Sequence, residues 1–243
     1  MAPQHQPTPI LLTRPAAQSD RFAEELAVRF GSALRPVISP LMVTRMIPAE
    51  WPPADYIAVI LTSETGAAAA GRLRQEGNTL PLRAICVGDR TAAAARSAGF
   101  TPESASGDAE ALLARILASD EPGPYLHLRG KDARGDIVPR LLAKGRSAHA
   151  AVVYEQAPQE LTPQARSLLA GVQPVIVPLF SPRSALLLAQ NGPFTAPLWI
   201  AAISPAAAAR AQQLSPQRLE LAASPDAPGM LDALSRLIPE PSA

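Results

Sequence analysis

Short apolar runs alternate with longer segments in which alanine and leucine recur at helical spacing. Pro9 to Leu12 reads as a strand and Ala17 to Phe30 as the helix after it. Ala33 to Ser39, interrupted by Pro36, reads as an extended connector. Tyr56 to Leu61 and Arg83 to Val87 read as strands, each followed by a helix, from Glu64 to Gln75 and from Thr91 to Ser97. Asp108 is placed to cap a helix reaching Leu117. Tyr125 to Leu128 is a further strand, with a helix from Ile137 to Lys144. Ala148 to Tyr154 is extended, and Gln156-Ala157-Pro158 marks a second connector. The alternation then resumes. Helices are expected at Pro163 to Ala170, Ser184 to Gln190, Ala206 to Leu214 and Met230 to Ile238, and strands at Pro174 to Pro178, Leu198 to Ile203 and Arg218 to Leu221.

Strands alternating with helices imply an α/β fold whose parallel sheets are covered on both faces. A weak internal repeat divides the pattern. Val59 to Ala67 resembles Val177 to Ala185, Cys86 to Ala92 resembles Ala202 to Ala208, and Leu11 to Pro15 resembles His127 to Lys131. Three matching strand ends in each half suggest two similar doubly wound domains.

Composition narrows the chemistry. Apolar residues make up 47% of the 243 and charged residues 18%, enough to bury a substantial core. Lysine plus arginine (22) nearly balances aspartate plus glutamate (21), which argues against a broad nucleic-acid face. The single Cys86, inside the run Ala84-Ile85-Cys86-Val87, reads as a buried inert thiol and fits a reducing compartment. Met1 to Pro7 is polar and has no hydrophobic signal core, and no apolar stretch is long enough to span a bilayer, so a cytoplasmic protein without membrane contact is expected. His5, His127 and His149 lack metal-site spacing, and His127 reads as an ordinary strand histidine. There is no Gly-rich dinucleotide fingerprint, phosphate-cradling loop, nucleophile elbow or paired carboxylate. Neither a metal nor a bound cofactor is expected.

What remains is the set of strand ends, where open parallel sheets bind their ligands. Those ends carry Thr13-Arg14, Thr62-Ser63, Gly88 with Thr91, Arg129-Gly130-Lys131, Ser181 and Ser204. Each precedes a predicted helix, whose first amides lack partners and whose dipole favours an anion. Hydroxyls add donors, and Arg14, Arg129, Lys131, Arg134 and Arg183 add positive charge. Taken singly, such a serine or threonine is a plain helix cap. Its recurrence in both halves points instead to a cleft for a ligand with several carboxylates or phosphates. A non-catalytic two-lobed module binding a small polyanion fits this pattern as well as an enzyme does.

An ordered set of motifs resembles one family. Leu12-Thr13-Arg14-Pro15 with Gln18, Leu61-Thr62-Ser63, and Val87 to Ala92 with Gly99-Phe100 follow the order seen in uroporphyrinogen-III synthases. Leu128-Arg129-Gly130 with Arg134, Val153-Tyr154-Glu155, and Phe180-Ser181-Pro182 with Ser184-Ala185 continue it. The resemblance runs from about Ile10 to Leu234. It implies two α/β domains joined by a two-stranded connector, the first being discontinuous: residues 1–35 and 159–243 in one, 41–153 in the other, and connectors at 36–40 and 154–158.

The resemblance also implies a reaction. Linear hydroxymethylbilane loses its hydroxyl, its terminal ring is inverted through a spiro intermediate, and the macrocycle closes to uroporphyrinogen III without a cofactor. A monomer is implied, with room for transient contact with the upstream hydroxymethylbilane synthase. Tyr154 matches the family's tyrosine and is the expected proton donor, a free phenol being protonated at neutral pH (pKa ~10). Thr13, Arg14, Thr62, Ser63, Gly88, Thr91, Arg129, Gly130, Lys131, Ser181, Pro182, Arg183, Ser184 and Ser204 are the expected substrate-binding positions. Two departures stand out. Ser204-Pro205-Ala206-Ala207 replaces a Gly-Pro-Thr-Thr pattern, removing two hydroxyls, and Ser224 to Met230 offers no matching binding residue. Glu64 adds negative charge beside Thr62-Ser63, where it is expected to face solvent.

Overall fold

The expected alternation resolves into two parallel-dominated sheets in a computed structural model that describes residues 7–132 and 135–238. The chain divides into two compact units. One takes the described residues up to Val43 and from Pro158 onward, and the other is Thr44–Ala157.

In the first unit, β1 (Thr8–Leu12), β2 (Leu34–Ile38), β9 (Val175–Leu179), β10 (Leu198–Ala202) and β11 (Arg218–Leu221) pair in the order β11-β10-β9-β1-β2. All pairs are parallel. Helices α1 (Ala16–Phe30), α6 (Pro163–Leu169), α7 (Pro182–Gln190), α8 (Pro205–Ala211) and α9 (Ala227–Ser235) cover both faces. Side-chain alternation along each strand explains the layering. Leu11, Val175, Val177 and Leu179 pack with Ala165, Leu169, Ala185 and Leu188 from α6 and α7. Ile10, Leu12 and Ile176 pack on the other face with Phe22 and Leu26 of α1 and Met230 and Leu234 of α9. Because β2 lies to one side of β1 and β9 to the other, the strand order reverses between β1 and β9. Doubly wound sheets bind ligands beyond the carboxyl ends of such a point.

The second unit contains β4 (Ala58–Leu61), β5 (Arg83–Cys86), β6 (Thr101–Ser104), β7 (Tyr125–Gly130) and β8 (Ala148–Pro158), in a sheet ordered β3-β8-β7-β4-β5-β6 with β3 (Met42–Met46) at one edge. Strands β4 to β8 are parallel. The pairing of β3 with β8 is antiparallel, since Ile47 N–H donates to the Val153 carbonyl while Gln159 N–H donates to that of Leu41. The boundaries between the two units, Val43/Thr44 and Ala157/Pro158, fall in these two strands. Helices α2 (Glu64–Gln75), α3 (Asp89–Ser97), α4 (Ala109–Leu117) and α5 (Ile137–Ala143) complete the unit, and its order reverses between β4 and β7.

Some expectations need correction. Residues 36–38 are not connector but the end of β2, paired residue by residue with β1. Pro36 is tolerated because an edge strand needs hydrogen bonds on one side only. Residues 154–158 are likewise the continuation of β8, so Tyr154 belongs to the body of a sheet. Strands β3 and β6 were not foreseen. Helix α9 starts at Ala227, three residues earlier than expected, because Asp226 caps it by accepting from Gly229 N–H.

Buried groups follow the expected chemistry of their surroundings. Cys86 is fully buried, and burial raises its thiol to about 11. His127 sits within β7. Among the described residues, no helix is long and apolar enough to cross a membrane.

Candidate functional site

Each sheet carries its candidate residues at the carboxyl edge, where β-strand gives way to helix. In the second unit the reversal point brings Ser63, Gly130 and Tyr154 together. Ser63 follows β4 and caps α2, its Oγ accepting from Gly66 N–H at 2.9 Å. The same Oγ lies 2.9 Å from the Tyr154 hydroxyl.

A bulge explains how Tyr154 gets there. The β7–β8 register shifts between Arg129 and Gly130, so that Arg129 pairs with Val152 but Gly130 pairs with Tyr154. The extra residue, Val153, breaks the alternation of faces. Ala151, Val153 and Tyr154 consequently all pack into the same core, against α2. In regular register Tyr154 would face the opposite side.

Two glycines shape the space around its ring. A β-carbon on Gly130 would lie 2.7 Å from Tyr154 Cε2 and 3.0 Å from its hydroxyl oxygen, and one on Gly66 would lie 3.9 Å from Cε1. The ring therefore occupies the place a Gly130 side chain would take. Tyr154 remains 8% exposed. Thr62 and Glu64 beside this cluster are half-buried, so Glu64 does not stand free in solvent as expected. Lys131 follows Gly130, its Nζ 3.3 Å from a Glu155 carboxylate oxygen, and its amide donates to the Tyr154 carbonyl. Arg129 lies next to Gly130 at the end of the same strand. One strand along, Gly88 starts α3 without a side-chain cap, and Thr91 is buried in its first turn.

In the first unit the reversal point lies between β1 and β9. Arg14, just past β1, stacks on the Phe180 ring that follows β9, with Cζ 4.3 Å from the ring centroid. Its Nε donates to Gln18 at 3.0 Å, and its carbonyl accepts from the Ser19 hydroxyl at 2.9 Å. Thr13 is 1% exposed, and its hydroxyl has no hydrogen-bond partner among the described residues. A buried hydroxyl of this kind is costly unless a ligand or water meets it. Ser181 caps α7, accepting from Ser184 N–H at 3.0 Å and lying 2.9 Å from the Ser184 hydroxyl. Pro182 opens the helix and Arg183 is half-buried beside it. Ser204 caps α8, accepting from Ala207 N–H at 3.3 Å. Of the three repeats read in the sequence, the match of Val59–Ala67 with Val177–Ala185 is thus a repeat of caps, Ser63 with Gly66 in one unit and Ser181 with Ser184 in the other. Arg134 lies outside the described residues.

Not every helix start is open to an anion. Asp108 caps α4, accepting from Glu110 and Ala111 N–H groups. Asp226 caps α9, and its hydrogen bonds from Gly229 N–H and the Ser224 hydroxyl hold its carboxyl below the usual range. These two termini already carry their own carboxylate, which explains why the Ser224 to Met230 stretch has no binding pattern. By contrast α1 opens on Ala16-Ala17-Gln18 and α7 on Pro182-Arg183, and neither has an acidic side chain in its first turn. Both flank the reversal point of the first unit, next to Thr13 and Arg14. A helix dipole of this kind stabilises a carboxylate.

Sequence reasoning passed over Phe180 as an arginine platform, and no signal in a single sequence marks it as one.

In a site that shares a ligand's charge among many strand-end donors, Ser204→Ala is expected to raise KM less than about tenfold, since one hydroxyl contributes on the order of 1 kcal/mol. Steady-state kinetics check this, and complete loss of activity from that one substitution would contradict a distributed site.

The family model described as uroporphyrinogen-III synthase HemD matches residues 20–232. Among solved structures, the uroporphyrinogen-III synthetase of Helicobacter pylori 26695 is similar at 18% identity, covering 95% of this chain and 99% of that one, with a TM-score of 0.63. A mutant uroporphyrinogen III synthase from the extremely thermophilic bacterium Thermus thermophilus aligns at 15% identity over 94% of this chain and 98% of that one, with a TM-score of 0.45. The first likeness shows a shared fold. A search of curated proteins found no match.

Proposed function

The chain belongs to the uroporphyrinogen-III synthase family, enzymes of tetrapyrrole biosynthesis, and from that membership we propose how its residues divide the work. The reaction converts hydroxymethylbilane to uroporphyrinogen III with loss of water and inversion of the terminal ring, which makes the enzyme a cyclising lyase. The electron-rich pyrrole expels the hydroxyl, so the protein needs no strong nucleophile. Tyr154 donates its proton to the departing oxygen, which leaves as water. The closing pyrrole carbon later releases one proton, and the phenol recovers it, so the cycle balances.

The observation that carries this reading is the placement of one phenol at the reversal point of its sheet, 2.9 Å from a helix-capping hydroxyl. General-acid help of this kind typically contributes about 10²–10⁴-fold. The remaining strand-end groups hold the substrate. Hydroxymethylbilane carries eight carboxylates on a flexible chain. Thr13, Arg14, Ser181, Pro182, Arg183, Ser184 and Ser204 are proposed to bind some of them, and Thr62, Gly88, Thr91, Arg129, Gly130 and Lys131 others. The starts of α1 and α7, which carry no acidic side chain, and the unpartnered Thr13 hydroxyl support this most directly. Holding reacting ends together can contribute up to roughly 7–11 kcal/mol. Selection of one folded conformer, rather than speed alone, decides the isomer, since free hydroxymethylbilane closes without inversion.

The proposal extends to a cytoplasmic monomer that works without a cofactor. It meets hydroxymethylbilane synthase transiently, because the intermediate they share closes spontaneously when released. A passive polyanion-binding module is the reading that family membership disfavours.

Incubating the purified protein with freshly made hydroxymethylbilane tests the proposal. After oxidation, the porphyrin products should be chiefly type III. Product that is only type I, at the spontaneous rate, would remove the catalytic reading, and tight binding without turnover would revive the module.

A further inference from the structure

We propose that Ser63 is a positioning residue for Tyr154, turning the phenol proton outward and receiving the phenolate that forms when the proton leaves. The inference rests on the donor role of Tyr154 given above and adds what makes that role possible.

The argument is one of counting protons and lone pairs. A serine hydroxyl has one proton and two lone pairs. One lone pair of Ser63 Oγ is committed to Gly66 N–H, which can only donate. The contact with Tyr154 at 2.9 Å admits two directions. If Tyr154 donates to Ser63, the phenol proton is spent inside the protein. If Ser63 donates to Tyr154, the phenol proton is free to reach a substrate oxygen. Once that proton has gone, only the second direction exists, because a phenolate cannot donate. Whatever the arrangement at rest, Ser63 can bond the phenolate only as donor, so the passage of the proton favours Ser63 donating.

Two further features favour that direction. Accepting from an amide polarises the Ser63 O–H and makes it a better donor. The α2 N-terminus, twelve residues of aligned dipoles, favours negative charge nearby, and that field also has to serve the Glu64 carboxylate in its first turn. Gly130 leaves the space that the ring fills, since a β-carbon there would lie 2.7 Å from Cε2, and this keeps the hydroxyl within reach. Ser63 was expected to bind substrate directly. With its oxygen engaged by Gly66 and Tyr154, it acts through the tyrosine instead.

A double-mutant cycle separates this role from simple capping. Ser63→Ala, Ser63→Thr, Tyr154→Phe and the Ser63→Ala/Tyr154→Phe pair are assayed for kcat and KM on hydroxymethylbilane and for thermal melting. Ser63→Ala is expected to lower kcat by roughly 10- to 100-fold, the range for a hydrogen bond to a charged group, with KM changing little. Ser63→Thr should retain most of kcat. In the Tyr154→Phe background, Ser63→Ala should change kcat by less than about twofold. The loss of the cap should lower the melting temperature equally in both backgrounds. If Ser63→Ala does not fold, Ser63→Gly repeats the comparison, since glycine caps nearly as well and has no hydroxyl. An equal fall in kcat in both backgrounds would overturn the proposal, as would a rise in KM with kcat unchanged. An unchanged kcat for Tyr154→Phe alone would instead overturn the donor role on which it rests.

Discussion

Tyr154→Phe should lower kcat by about 10²–10⁴-fold and leave KM nearly unchanged. The substitution isolates chemistry from packing. Phenylalanine keeps the ring that fills the space over Gly130 and beside Gly66. It keeps the buried contacts of Tyr154 with the β7, β8 and α2 core. It removes one hydroxyl, which lies against that of Ser63. The Ser63 cap on Gly66 survives, so α2 should start where it does now. A melting temperature close to wild type, alongside the fall in kcat, is the expected combination. Unchanged turnover would show that Tyr154 only anchors its strand.

The second large effect concerns stability in acid. His127 is 3% exposed on β7, and its Nε2 has no hydrogen-bond partner among the described residues. Burial, which strips water from the charged imidazolium, pushes its pKa down to about 4, and the Arg129 charge adds to this. In the unfolded chain the group returns to its ordinary value near ~6.5. Between those values the unfolded state binds the extra proton, so stability rises with pH there. The contribution is complete above about pH 6.5 and drains away as pH falls toward 4, amounting to about 3 kcal/mol at pH 4. His127→Leu removes both the proton site and the unpartnered nitrogen. Urea unfolding of the two proteins should therefore show a stability difference that shifts in the variant's favour by about 3 kcal/mol between pH 7.5 and pH 4. Parallel stability curves down to pH 4 would show that His127 is not buried neutral.

How far the sequence discloses this protein depends on the kind of signal. Helix α2 was legible at both ends, Glu64 and Gln75, because Ser63 caps it and its alanine face is periodic. Strands β1, β4, β5, β9 and β10 announce themselves as apolar runs because both sides of each are covered. Strand β3 does not, since Met-Val-Thr-Arg-Met is largely exposed and carries no alternation. Strand β6, Thr-Pro-Glu-Ser, sits at a sheet edge where polar residues and proline are tolerated. Pro36 misled for the same reason, an edge strand resembling a connector when judged by its proline.

At the candidate site the residue types were legible but their arrangement was not. Tyr154 stood out by resemblance, yet its direction depends on a bulge opposite Gly130 that leaves no mark in a single sequence. Hydroxyls at strand ends were visible, whereas the difference between engaged Ser181 and unpartnered Thr13 is a matter of three-dimensional contacts. Asp226 shows the converse, a carboxylate that occupies its own helix start and so takes that terminus out of the binding set.

The most direct measurement is the isomer formed in a single turnover, with protein in excess over hydroxymethylbilane. Wild type should convert the substrate to the type III product before spontaneous closure competes, while Tyr154→Phe should leave most of it to close as type I. Type III product from the variant, at the wild-type rate and yield, would contradict the assignment of the chemistry to this strand end.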